Sequence, residues 1–230
     1  MKTKYPADYF CHDAEYQRRR ASGNPGWEKA NALTAYLALL EKTFAAPHFP
    51  KQGRLLELGC GAGDFTLWAA KLGYEVEGVD ISPFAIQWAI EKALQRGLPA
   101  NFQVGDVLDL SRYASDTFDI VLDGHCFHCI IGDDRRRFLR EAFRVLKPGG
   151  IFHVNSMCGD PSCEEYQQQF DAESRSLIRN GMAMRHLGLP DQIEQEMSES
   201  GFIVISRCIL PRRNSKELDL LLLDATKQAQ

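Results

Sequence analysis

Arg54-Leu55-Leu56-Glu57-Leu58-Gly59-Cys60-Gly61-Ala62-Gly63-Asp64 reads as a buried strand running into a glycine-rich turn. A helix is expected from Phe65 to Leu72, with apolar Phe65, Leu67, Trp68, Ala69 and Leu72. Gly73 stands where a left-handed cap would end it. Strand, glycine turn and helix in this order present backbone N–H groups to a nucleotide-like ligand. The spacing narrows the reading. A dinucleotide fingerprint, G-x-G-x-x-G/A, would place its third glycine at position 64, where Asp64 stands; the third glycine comes one place early, at Gly63.

Outward from this stretch, short β runs alternate with helical periodicity. Tyr74–Asp80 is a strand. Ser82-Pro83 is an N-cap with proline at the first helical position, and its helix stops at Gly97. Strands are expected at Asn101–Gly105, Phe118–Asp123 and Ile151–Ser156, with a helix from Asp133 or Asp134 to Leu146 before Pro148-Gly149-Gly150. This β-α-β-α order predicts a parallel sheet with helices on both faces. Upstream, residues 1–26 are polar and irregular, and Trp27–Phe44 has helical spacing. Downstream, residues 159–189 read as a polar, helical insertion. A helix at Pro190–Glu199 leads to strands at Phe202–Leu210 and Glu217–Thr226. The link 211–216 is too short for a crossover helix, so these two strands should be antiparallel.

Three strand ends carry acids at one edge of that sheet, where open α/β folds bind ligands. The pattern Glu57-x-Gly59-x-Gly61-x-Gly63 resembles the first motif of the class I S-adenosylmethionine-dependent methyltransferases, over about residues 53–226. The resemblance implies a Rossmann-like α/β fold: a seven-stranded, mostly parallel sheet with the last strand antiparallel. It also implies S-adenosylmethionine as methyl donor, with S-adenosylhomocysteine as product. Asp80 is placed to accept the ribose hydroxyls, with Ile81 beside the adenine. Asp106 and Val107 take the adenine edge, Glu57 supports the glycine turn, and Asp123 ends the strand that leads to the methionine end. Asp80 alone indicates adenosine, since an NAD site uses the same device.

The stretch Asp123-Gly124-His125-Cys126-Phe127-His128-Cys129 resembles small-molecule branches of the family through Asp-x-Gly-x-x-His. His128, and secondarily His125, are the candidate bases, because an imidazole titrating near 6.5 can take a proton from a hydroxyl, thiol or amine. Two thiols and two imidazoles also raise a zinc site, but Cys126-x-x-Cys129 is one ligand pair and Cys158-x4-Cys163 is a wide second one. No metal is assigned.

Composition narrows the partners. The chain has 230 residues, 44% hydrophobic and 25% charged, with net charge −4. That is enough for one domain with its own core, and it argues against broad nucleic-acid binding, which wants a basic face. No apolar run approaches the roughly 18 residues of a membrane span. Seven cysteines with no secretory leader predict reduced thiols and a cytoplasmic protein. The expected layout is an N-terminal lid and helix (1–50), a cofactor-binding half (51–158), a substrate-covering insertion (159–189) and a C-terminal helix with two strands (190–230). The reading is methyl transfer to a small-molecule O, N, S or metalloid nucleophile. The alternatives are an NAD(P)-dependent oxidoreductase, against which Asp64 speaks, a methyltransferase of protein or RNA, and a non-catalytic scaffold. The acceptor and the oligomeric state stay open.

Overall fold

A computed structural model describes residues 4–214 and 216–228 of the chain. The elements in order are α1 (Cys11–Ala21), α2 (Ala30–Phe44), β1 (Arg54–Leu58), α3 (Asp64–Lys71), β2 (Glu75–Asp80), α4 (Pro83–Arg96), β3 (Asn101–Val104), β4 (Phe118–Asp123), α5 (Asp134–Val145) and β5 (Leu146–Cys158). They continue with α6 (Glu164–Gln169), β6 (Phe170–Asp171), β7 (Ser176–Arg179), β8 (Met182–His186), α7 (Pro190–Glu199), β9 (Phe202–Leu210) and β10 (Asp219–Lys227).

Seven strands form one sheet in the order β3-β2-β1-β4-β5-β10-β9. β1, β2, β3, β4 and β5 pair in parallel, and β10 runs antiparallel to both β5 and β9. This is the expected Rossmann-like arrangement. Its strand order reverses between β1 and β4, which opens a crevice beyond their C-terminal ends.

Both sheet faces are apolar, as a covered parallel sheet requires. Alternate residues of β1 divide between them. Leu56 and Leu58 pack with Phe138, Leu139 and Ala142 of α5 and with Met197 of α7. Leu55 packs with Leu40 and Phe44 of α2 and Ala69 of α3. α4 is secured by its start: the Ser82 hydroxyl accepts from the Ala85 amide at 2.9 Å, with Pro83 at the first position.

Two expectations are corrected. Residues 159–189 are not chiefly helical: after the short α6 they form a three-stranded antiparallel sheet, β6-β7-β8. The cause is local. Asn180 and Gly181 both have positive φ, 51° and 75°, the requirement of a two-residue hairpin turn whose twist matches its strands. Residues 1–26 are not wholly irregular, since Cys11–Ala21 is a helix. Only Tyr16 of α1 is buried, so its apolar stripe is too narrow to show in periodicity.

Candidate active site

The glycine turn after β1 is shaped by approaches that a side chain would prevent. Gly61 has φ 51°, and a Cβ there would lie 2.0 Å from the Tyr16 hydroxyl. Its amide donates to Asp80 Oδ2 at 2.8 Å, while the Ser82 amide donates to Asp80 Oδ1 at 2.9 Å. Asp80 thus clamps the turn to the end of β2. A carboxylate offers about four acceptor positions, so these two bonds leave it capacity for a ligand. Burial raises the Asp80 carboxyl above its ordinary range.

Glu57 is buried in β1. Its Oε2 accepts from the Thr66 amide at 2.7 Å and from the Thr66 hydroxyl, which ties the strand to the first turn of α3. Burial pushes Glu57 up to about 8. Gly124 is needed beside it: a Cβ there would meet Glu57 Oε1 at 2.6 Å and the Gly59 carbonyl at 2.6 Å. Asp64 opens α3 and pairs with Lys92 of α4, whose ammonium also donates to the Pro25 carbonyl at 3.0 Å. The position that breaks the dinucleotide pattern therefore anchors the N-terminal segment.

One cavity gathers most of these groups. It spans about 1140 Å³ of space between atoms, its open mouth included. Glu57, Gly59, Asp80, Ile81, Asp106, Val107, His125 and His128 all line it. Gly61 lies in the turn between lining residues Cys60 and Ala62. Gly63 and Asp123 do not line it. Gly63 is the N-cap of α3, packed where a Cβ would strike Phe102. Asp123 accepts from the Cys126 and Phe127 amides at 2.8 and 2.9 Å and from Asn155 at 3.4 Å, so it holds the 3₁₀ turn Phe127–Cys129. Asp106 faces the cavity and also accepts from the Leu108 amide at 2.9 Å.

The two histidines differ. His125 has φ 63°, a conformation that costs a non-glycine residue on the order of 1–3 kcal/mol and is kept where surroundings over-determine it. Its ring meets Tyr36 edge-on at 4.6 Å and Phe65 at 5.9 Å. Burial pushes its pKa down to about 3, helped by His128 and His153, so it is neutral at pH 7. His125 Nε2 and His128 Nδ1 are both buried without a hydrogen-bond partner. Beside them stands Cys129. Burial alone would raise its thiol, but His128 and His12 carry it well below the usual range. Among the described residues, no group of three or more His, Cys, Asp or Glu side chains is arranged to hold a metal ion, and all seven cysteines are free thiols.

Further wall residues come from the two segments expected as lid and insertion, in which the sequence singled out no site residue. Tyr9, His12, Tyr16, Trp27, Glu28 and Leu33 come from the segment before β1, and Arg185 from β8. These two segments touch: the Ala183 amide donates to the Pro6 carbonyl at 2.9 Å. Polar contacts bind α1 to the body, where Asp13 Oδ1 accepts from the Ser82 hydroxyl at 2.7 Å and the Phe84 amide at 3.0 Å.

Residues 56–154 match the family model described as methyltransferase domain. This stretch, from β1 into β5, is similar to a methyltransferase domain. Ribosomal RNA small subunit methyltransferase C of Alcanivorax borkumensis is 31% identical over 140 residues, covering 60% of this chain and 42% of that protein. Phosphoethanolamine N-methyltransferase 1 of Arabidopsis thaliana is 26% identical over 182 residues, covering 76% of this chain and 36% of that protein. A solved structure concerned with conversion of a disulfide bond into a thioacetal group during echinomycin biosynthesis is 28% identical, with a TM-score of 0.68, over 96% of this chain and 93% of that one. The chain spans less than half the length of these curated relatives. No helix among the described residues is long and apolar enough to cross a membrane.

Proposed function

We propose that the chain transfers a methyl group from S-adenosylmethionine to a small-molecule acceptor. The observation that carries the reading is the shared cavity. Strand-end acids, the glycine turn, two imidazoles each with an unpartnered nitrogen, and residues of the N-terminal segment and β8 all line it. The residues fit an adenosyl cofactor: Asp80 keeps acceptor capacity toward a ribose, Ile81 and Val107 offer apolar contact to a base, and Asp106 offers an acceptor to its amine. When bound, S-adenosylmethionine supplies a methyl group already activated on a sulfonium.

The chain's own work is then alignment and exclusion of water. Tyr9, Trp27, Leu33, Phe65, Ile130 and Met157 supply the apolar walls. The N-terminal segment acts as the lid. His128 takes the acceptor's proton where the nucleophile arrives protonated, and neutral His125 offers a hydrogen-bond partner. Among the relatives named above, one acts on ribosomal RNA and one on phosphoethanolamine. A covered cavity and a net charge of −4 favour a small acceptor over RNA.

Thermal unfolding with ligands tests the reading. S-adenosylmethionine and S-adenosylhomocysteine should each stabilise the protein by about 2.7 kcal/mol at a hundredfold excess over Kd, and NAD or NADP should not. A response to NAD with none to S-adenosylhomocysteine would overturn it. A screen of acceptors, read by S-adenosylhomocysteine release, then separates small molecules from RNA.

A further inference from the structure

Three residues that line the same cavity, His125, His128 and Arg185, each hold a buried nitrogen without a hydrogen-bond partner: Nε2, Nδ1 and Nε. Buried polar atoms are rarely left so, and three of them in the wall of one cavity point to a polar ligand there. They differ in kind. The imidazoles offer one donor or acceptor each, whereas the Arg185 guanidinium is a fixed cation with donors in a planar fork.

We propose that the methyl acceptor carries a carboxylate and that Arg185 holds it, leaving His125 and His128 to face the reacting atom. This rests on the methyl-transfer reading. No carboxylate of the chain hydrogen-bonds this guanidinium among the described residues. Glu28 and Cys129 are its electrostatic neighbours. Burial raises the Glu28 carboxyl, so Glu28 is a poor permanent partner. The planar fork matches a carboxylate with two parallel hydrogen bonds. The acids that line the cavity are Glu28, Asp64, Asp80 and Asp106, with Glu57 held neutral at pH 7 by burial. One guanidinium there balances a single negative charge better than a phosphate dianion.

The same chemistry has a second source, the carboxylate of the cofactor's own methionine. The acceptor is favoured because Arg185 belongs to β8, and its neighbours belong to the N-terminal segment and the 3₁₀ turn. Neither element carries Asp80 or Asp106.

The test compares 2-, 3- and 4-mercaptobenzoate and the matching hydroxybenzoates with their uncharged amides. Each compound is titrated by calorimetry into the protein saturated with S-adenosylhomocysteine, and each is assayed for turnover. Wild type should bind at least one acid more tightly than its amide. Arg185→Gln should weaken the acid about 10- to 100-fold, the loss of a hydrogen bond between charged groups, and leave the amide unchanged. Arg185→Lys should restore part of the preference. Affinity for S-adenosylhomocysteine and Tm should stay at the wild-type level in both variants. Equal binding of acids and amides by wild type, or no binding of either, overturns the proposal. So does a loss in Arg185→Gln that falls equally on both, or on S-adenosylhomocysteine, which would assign Arg185 to the cofactor. If wild type fails to bind S-adenosylhomocysteine at all, the methyl-transfer reading falls, and this proposal with it.

Discussion

Replacing Asp80 with alanine should damage the protein twice, by separable amounts. In the free protein the carboxylate accepts from the Gly61 and Ser82 amides at 2.8 and 2.9 Å. Hydrogen bonds to a charged group contribute about 1.5–3 kcal/mol each, and their loss leaves two amides without acceptors. Burial of the charge, visible in the raised Asp80 carboxyl, offsets part of that. A net loss of about 2–3 kcal/mol follows, or about 4–12 °C in Tm for a domain of this size. In the complex, the ribose would also lose its acceptor, lowering S-adenosylhomocysteine affinity by about 100-fold. Asp80→Asn keeps one oxygen acceptor, so it should lose less Tm while still weakening the ligand about tenfold. Scanning calorimetry reads the first effect and titration calorimetry the second. If Asp80→Ala keeps the wild-type Tm, the clamp on the glycine turn is not a real constraint. A folded Asp80→Ala protein that binds S-adenosylhomocysteine normally would remove Asp80 from the site.

Three further outcomes are expected. Glu57 is raised to about 8 by burial, so its contribution to stability is complete below its unfolded value near 4.3 and is lost as pH rises through 8. Wild type should therefore fall relative to Glu57→Gln by on the order of 1 kcal/mol per pH unit across that window, and a pH-independent difference in stability between the two would refute this. His128→Gln should lower turnover by about 10²–10⁴-fold with S-adenosylhomocysteine binding intact; equal activity on the true acceptor would remove His128 from the chemistry, and proportionate losses of Tm and binding would make it a packing residue. Asp13→Ala removes the acceptor for the Ser82 hydroxyl and the Phe84 amide, so trypsin should cut faster at Arg18, Arg19 and Arg20; an unchanged rate would mean that Asp13 does not hold α1 down.

What the sequence disclosed about the site follows from how each half is built. Glu57, Gly59, Gly61, Asp80 and Asp106 stand at or near the ends of strands in one parallel sheet, and the fold brings such ends to a common edge. Local pattern therefore predicted their meeting. Gly63 and Asp123 belong to the same strand ends but serve the backbone instead, one capping α3 and the other holding the 3₁₀ turn. Only coordinates separate those roles, because sequence spacing does not say which way a side chain faces. Arg185 had no local signal. It reaches the cavity because Asn180-Gly181 turns β7 back into β8. That hairpin signal was legible, but the polar content of residues 159–189 suggested a solvated helix.

The cover over the cavity has a physical character that its residues explain. In α1 only Tyr16 is buried. Tyr16 packs with Ala62, Ala85 and Trp88, and the other attachments are hydrogen bonds and ion pairs: Asp13 to Ser82 and Phe84, Arg20 to Glu91, and the following turn to Lys92 through the Pro25 carbonyl. A hydrogen bond exchanged for water contributes about 1 kcal/mol net, and an exposed ion pair less. Lifting α1 also uncovers the small apolar cluster of Tyr16, Ala62, Ala85 and Trp88, so its cost is a few such terms and one apolar patch. The sheet beneath is different, since Leu55, Leu56 and Leu58 are fully buried between helices, and separating those layers would expose the core. An element that must admit and release a ligand is best drawn from the weakly held part of a structure. Here that part is the segment supplying Tyr9, His12, Tyr16 and Trp27 to the cavity wall. If that segment closes over a bound ligand, as proposed, its opening costs the fold less than parting the layers of the sheet.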